Sequence, residues 1–243
     1  MPESIYYQHR QIVEELRSQA NMAERHAGAW QVTDEYKDDH QIAQWATDAI
    51  LEEFWNLIVR QPESMPVVQS RFTWPADTAS IALEPPWLDG AHPHPEQAVG
   101  AAIALQDETA GVGHGVNIRL VGRVGLAHLA HAESGPIAWR GLYGSVTQGR
   151  LTLEPFPAAS FPVMLEYIAL PDVVEPAGDG IYRGLPLGSL RATVSLAAGE
   201  LVAVRKAPET LAKIGERRQK AAARARDRLE RTGPEFTAWG YGI

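Results

Sequence analysis

MPVVQSRFTWPADTASIAL, residues 65–83, is where the hydrophobic pattern of this chain changes period. Before Met65 apolar residues recur every three or four positions. From Met65 onward they fall into short, often alternating segments. Alternate residues of an extended chain project to opposite faces, so such segments predict half-buried strands, here over 67–72 and 78–83. The same reading predicts strands over 99–105, 116–129, 137–143, 163–170, 190–196 and 201–204. Turn-forming residues separate them: Pro85-Pro86, Pro93 and Pro95, the glycines of 111–115, Gly135-Pro136, the prolines of 155–162 and Asp179-Gly180. Many short strands with this punctuation, and no long helices between them, point to an antiparallel β-sandwich or barrel rather than a doubly wound sheet.

Upstream, the period is helical. Pro2, Glu3 and Ser4 open a pattern in which Ile5, His9, Ile12, Leu16, Ala20 and Ala23 share one face, while Glu14, Glu15, Arg17 and Gln19 populate the other. Gly28 is the expected stop. Thr33, followed by Asp34 and Glu35, reads as the N-cap of a second helix, with acids suited to the positive end of its dipole. Ile42, Trp45, Ala49, Phe54, Leu57 and Ile58 give that helix a bulkier face, and it ends before Pro62. Two helices joined by a short connector predict an antiparallel hairpin. Trp30, Trp45, Phe54 and Trp55 exceed what such a hairpin needs internally, which suits covering the sheet or a neighbouring subunit.

Downstream, residues 205–231 read RKAPETLAKIGERRQKAAARARDRLER. This block holds ten Lys/Arg against four Asp/Glu, a formal +6. The rest of the chain then holds twelve basic against twenty-six acidic groups, or −14, a polarity hidden under the total of −8. Pro208 suits a first helical turn and Glu209 the positive dipole end. Alanine and arginine favour helix, and Gly233-Pro234 supply the stop. Lys213, Arg217, Lys220, Arg224, Arg228 and Arg231 recur at three- and four-residue spacings and line one stripe. Leu211, Ile214, Ala222, Ala225 and Leu229 form a thinner apolar stripe, a weak anchor for burial. The stripe reads as a solvated face, or as a docking surface for an acidic protein patch or for phosphate. Beyond it, Phe236, Trp239 and Tyr241 and the terminal Ile243 make a tail expected to dock, on its own domain or on a neighbour.

Composition narrows the class. At 243 residues, 45% hydrophobic and 21% charged, the chain has the makeup of a globular protein with room for a real core. Cysteine is absent, which removes disulfides, thiolate metal sites and cysteine nucleophiles together. The N-terminus lacks the apolar core of a signal peptide, and no run reads as the roughly 20 apolar residues that span a bilayer. A cytoplasmic protein without a membrane partner is expected.

The chemistry-bearing groups are sparse. His92, His94 and Glu96 alternate and would converge on one side of an extended segment, but Pro93 and Pro95 mark a surface loop. His128 and His131 point to opposite faces if their segment is a strand, leaving His131 with Glu133. The glycines of 111–115 lack a following helix to present amides to phosphate, so they read as a turn. Ser145 and Ser189 follow glycines but sit in no Gly-x-Ser-x-Gly. The run Asp34-Glu35-Tyr36-Lys37-Asp38-Asp39-His40 lacks calcium-loop spacing and reads as a helix opening, or as a receptor for the basic helix of another copy.

The expectation is therefore an α+β chain: a helical hairpin over 1–62, a β-rich body over 63–204, and a basic helix with an aromatic arm over 205–243. No catalytic residue, metal or cofactor is assigned. The expected role is a non-enzymatic structural or assembly subunit of a larger intracellular complex or particle. It would dock on a protein partner or on its own copies through Lys213, Arg217, Lys220, Arg224, Arg228, Arg231, Phe236, Trp239 and Tyr241. A nucleic-acid-associated protein using the basic helix is the first alternative. An enzyme with a pocket built on His92, His94, His128 or His131 is the second.

Overall fold

The computed structural model describes residues 7–26, 38–84, 95–112, 115–122, 142–155 and 157–232. Among these the chain is a mixed α+β protein, with four α-helices and one seven-stranded sheet. By internal contacts it divides into two compact units, residues 1–64 with 171–225 and residues 65–170 with 226–243.

The first unit is helical. Its α1 (His9–His26) packs on α2 (Asp39–Arg60) and on α3 (Leu187–Lys206), and α2 packs on α3. In α1 the face predicted from spacing is the buried one: His9, Ile12, Leu16 and Ala20, with Val13 beside them. The helix starts at His9 rather than near Pro2. Arg10 N donates to Gly178 O at 3.0 Å, and Gln8 bridges Ile181 in extended conformation, so the loop before α3 closes the N-terminus. In α2 the N-cap is Asp38, not Thr33, which lies outside the described residues. The Asp38 carboxylate accepts from His40 N at 3.0 Å and Gln41 N at 3.2 Å, satisfying two amides that the helix leaves open.

The largest misreading falls on α3. Strands were expected over 190–196 and 201–204, yet both runs lie in one helix. Its buried residues, Leu190, Thr193, Val194, Ala197, Ala198 and Val202, step by three and four and face α1 and α2. Val and Thr favour strands only where a pleated surface receives them, and here tertiary packing overrides that preference. By length and composition α3 is also long and apolar enough to cross a membrane, which the sequence reading did not expect. In this unit its apolar stripe is used for helix packing.

In the second unit the strands are β1 (Val67–Trp74), β2 (Ser80–Ala82), β3 (Val99–Asp107), β4 (Val116–Leu120), β5 (Tyr143–Thr147), β6 (Arg150–Glu154) and β7 (Phe161–Ala169). They form one sheet in the order β1-β7-β3-β4-β5-β6-β2. Every pairing is antiparallel except β4 with β5, which is parallel, so the expected all-antiparallel body needs correction. Among the described residues the strands make one sheet rather than the two layers of a sandwich. Val99 N donates to Leu83 O at 2.8 Å, joining the start of β3 to the residue after the edge strand β2. The sheet therefore curls into a half-barrel, and one curled sheet buries its own concave face.

Strand β1 shows why alternation was readable. Ser70 and Trp74 are buried, Val68 and Phe72 half-buried, and Val67, Gln69, Arg71 and Thr73 exposed. Inside the curl Trp74, Leu83, Leu105, Leu151, Leu153, Leu165 and Tyr167 are essentially fully buried. The Trp74 indole donates to Thr78 O at 2.8 Å, so burial leaves its N–H satisfied.

Strands β5 and β6 were not anticipated. They form a hairpin over Gln148-Gly149, both with positive φ, 52° and 67°, as a two-residue turn matched to strand twist requires. Of the run expected over 116–129, residues 116–120 are β4 and 123–129 lie outside the described residues. Of the run over 137–143, only Tyr143 is strand among the described residues.

The basic block makes α4 (Thr210–Thr232). It starts two residues after Pro208, because α3 runs on through Arg205 and Lys206 and its last amide partner is Ala207 N to Ala203 O. Thr210 N and Oγ1 both donate to Ala207 O, and Leu211 N to Pro208 O, so Pro208 sits in the linking turn.

A candidate partner-binding surface on the basic helix

Five alanines between Ala212 and Ala225 make α4 a strong helix former, yet its tertiary anchoring is slight. Among its described side chains only Ala225 is buried. Ile214 and Leu229 are half-buried, and Leu211 is 51% exposed. The helix is held by charge instead. Arg217 forks the Glu52 carboxylate, Nε to Oε1 at 2.9 Å and Nη2 to Oε2 at 3.1 Å, and its Nη2 also reaches Glu200 Oε1 at 2.5 Å. Arg218 donates from Nη2 to Glu200 Oε2 at 2.8 Å and lies 3.4 Å from Glu52 Oε2. Its guanidinium stacks 4.7 Å from the centroid of the Trp45 ring. Trp45 is in turn fixed by its indole N–H, which donates to Ala197 O at 3.1 Å. Two guanidiniums thus clamp two carboxylates against an aromatic face, joining α2, α3 and α4. Hydrogen bonding to Glu52, then to Glu200, pushes the Arg217 guanidinium still further above its ordinary pKa.

This clamp sorts the predicted stripe. Arg217 is committed to the body at its centre. Lys220 pairs with Glu216 one turn earlier, and Arg231 with Asp227 at 3.0 Å. Lys213 and Arg224 have no ion-pair partner among the described residues, and Arg228 is exposed. Lys213, Lys220 and Arg224 line a cleft of about 350 Å³ together with Asn56, Glu216 and the Arg217–Glu52 fork. Toward the end of the helix, Arg226 approaches Glu84 at 3.6 Å, and Gln148 N donates to Glu230 Oε1 at 2.8 Å.

The residues missed from sequence are Glu52, Glu200, Trp45 and Arg218. One signal existed: Glu200 is a lone acid within the apolar run Leu196–Val204 and needs a partner wherever that run is packed. Nothing in the spacing identifies Arg217 and Arg218 as that partner. The tail residues Phe236, Trp239 and Tyr241 lie outside the described residues, as do His92, His94, His128, His131 and Glu133.

The acidic run has its own employment. Asp38 caps α2 and Asp39 pairs with Arg17. With His40, Glu175 and the segment to Gly178 they line a second cleft of about 650 Å³. Behind it His9 is buried, its Nδ1 accepting from Glu175 N at 3.1 Å and its ring edge-on to Tyr182. Burial, then the nearby Asp172 carboxylate, pushes the Tyr182 phenol far above its ordinary value of 10.0. Its hydroxyl has no hydrogen-bond partner among the described residues. In the sheet unit, the Ser145 hydroxyl is likewise buried without a partner among the described residues, and Gly111 N closes the expected turn on Glu108 O at 2.8 Å. Among the described residues no three His, Asp or Glu side chains gather as a metal site.

No protein-family model matches the chain, and no curated protein matches it.

Proposed function

We propose that this chain is a non-enzymatic structural or assembly subunit of a larger intracellular complex or particle, docking on protein through its terminal segments. The observation that carries this reading is α4: a 23-residue helix with one buried side chain among those described and a row of cations facing outward. A helix this thinly packed gains little from its own fold, and a partner's surface supplies the missing burial. Leu211 and the row Lys213, Lys220 and Arg224 are its contact residues, with Arg228, Arg231, Phe236, Trp239 and Tyr241 extending it.

Protein is favoured over nucleic acid by charge. Within α4 eight basic residues meet three acidic ones, and Glu52, Glu84 and Glu200 of the body face it. That leaves about two positive charges against an acidic body. A phosphate chain needs a denser field.

Native mass measurement and pull-down from the source cell test the reading. The expected result is a species well above the 26.6 kDa chain, held by its own copies or a protein partner and weakened by Lys213→Ala/Arg224→Ala. A strict monomer with no partner in either assay refutes it. RNA or DNA bound at physiological salt, and lost in the same variant, transfers the stripe to the nucleic-acid alternative.

A further inference from the structure

The centre of the outward row is already occupied by carboxylates of the same chain. Arg217 lines the cleft with Lys213, Lys220 and Arg224, yet its guanidinium is forked by Glu52 and touched by Glu200. A planar guanidinium meeting both oxygens of one carboxylate is the contact an acidic protein side chain would make. Arg217 remains 52% exposed, so a second carboxylate can approach without any part of the core opening. The contact holding α4 is charged rather than apolar, and water and competing ions weaken such contacts.

Resting on the protein-partner reading above, we propose that Glu52 and Glu200 are an internal stand-in for an acidic protein segment, an autoinhibitory contact at the centre of the basic row. The incoming segment bridges Lys213 and Arg224 and takes Arg217 from Glu52. Arg218 stays on Trp45, because it is only 10% exposed and stacked. The segment is short and carboxylate-bearing: Glu52 and Glu216 on the cleft wall repel a continuous polyanion, whereas two or three spaced carboxylates can pair with the cations between them. The apparent dissociation constant is the intrinsic one divided by the fraction of molecules with the clamp open, so a clamp closed in about nine molecules of ten weakens binding about tenfold.

The test is fluorescence anisotropy of a labelled Glu-Gly-Ser-Glu-Gly-Ser-Glu peptide, three spaced carboxylates, with the full chain. Glu52→Gln/Glu200→Gln removes the stand-in and is expected to bind about tenfold tighter than wild type. Glu53→Gln/Glu63→Gln makes the same change of net charge on the same unit and should stay close to wild type. Should the first double variant fold poorly, Glu200→Gln alone keeps the Glu52 fork, and an intermediate gain is expected. Dependence on Lys213→Ala/Arg224→Ala with no gain in the Gln variants overturns the autoinhibition and leaves the partner reading standing. Equal gains in the clamp and control variants also overturn it, as a net-charge effect. Indifference of the peptide to Lys213→Ala/Arg224→Ala sinks the partner reading itself. A twelve-residue oligothymidylate bound more tightly than the spaced-glutamate peptide by wild type overturns the assignment to a protein segment.

Discussion

Replacing Arg218 by Ala should destabilise the helical unit far more than replacing Arg217, although Arg217 makes more contacts. Arg217 has three hydrogen bonds to carboxylates between 2.5 and 3.1 Å. Arg218 has one at 2.8 Å and a looser approach at 3.4 Å. Burial reverses the ranking. The Arg218 side chain is 10% exposed and Arg217 52%, while Glu52 and Glu200 are 16% and 23% exposed. For Arg218, a hydrogen bond to a charged group contributes about 1.5–3 kcal/mol and a desolvated cation–π contact about 1–2 kcal/mol. These overlap, and Arg217 still shields both carboxylates in the variant, so a loss of about 3 kcal/mol is expected. For Arg217, solvent screening leaves about 1 kcal/mol. Both changes place the same better helix former on the same helix, so propensity cancels in the comparison. Urea denaturation followed by far-ultraviolet circular dichroism measures the pair. Repeating it in 1 M salt should erase most of the Arg217 effect and spare most of the Arg218 effect. An Arg217→Ala loss equal to or larger than that of Arg218→Ala would refute the claim that burial, not contact number, sets the strength of this clamp.

Tyr182→Phe should be neutral or stabilising by up to about 1–3 kcal/mol, because it removes a buried hydroxyl that has no partner among the described residues, and a clear loss on denaturation would contradict this. Since the folded Tyr182 pKa is raised, its contribution is fully present below the unfolded value near 10.0 and lost as pH climbs beyond it; alkaline unfolding of wild type should therefore be milder in Tyr182→Phe. Arg71→Ala leaves the Glu108 side chain, 5% exposed, without its cation and should cost about 2–3 kcal/mol, whereas Arg71→Leu/Glu108→Leu should recover part of that; a double variant worse than the single would show the pair is not the cause. Trp74→Ala should cost about 3–5 kcal/mol in the sheet unit, since the ring is fully buried inside the curl, and a loss under 1 kcal/mol would mean that core is misplaced.

What the sequence by itself determined was local and periodic. The helical face Ile12, Leu16 and Ala20, the end of α2 before Pro62, the alternation along β1 and the helix at 210–232 all follow from spacing and turn residues within one segment. These signals need no knowledge of what lies opposite. Two kinds of decision were left to tertiary structure. The first is the fate of an ambiguous apolar run: residues 190–204 carry period 3.6 on the buried side yet include the strand-favouring Thr193, Val194, Val202 and Val204, and packing on α1 and α2 settles them as helix. The curl that brings Leu83 O to Val99 N likewise joins separate segments, whereas the hairpin over Gln148-Gly149 pairs neighbours in sequence and its turn glycine was a legible signal. The second is the fate of charge. A stripe of cations is legible from i, i+3 and i+4 spacing, but which cation is spent inside the chain is not. Glu52, Glu200 and Trp45 lie 165, 17 and 173 residues away along the chain from Arg217 or Arg218. Coulomb energy depends on distance and solvent exposure, and neither is written in the order of residues.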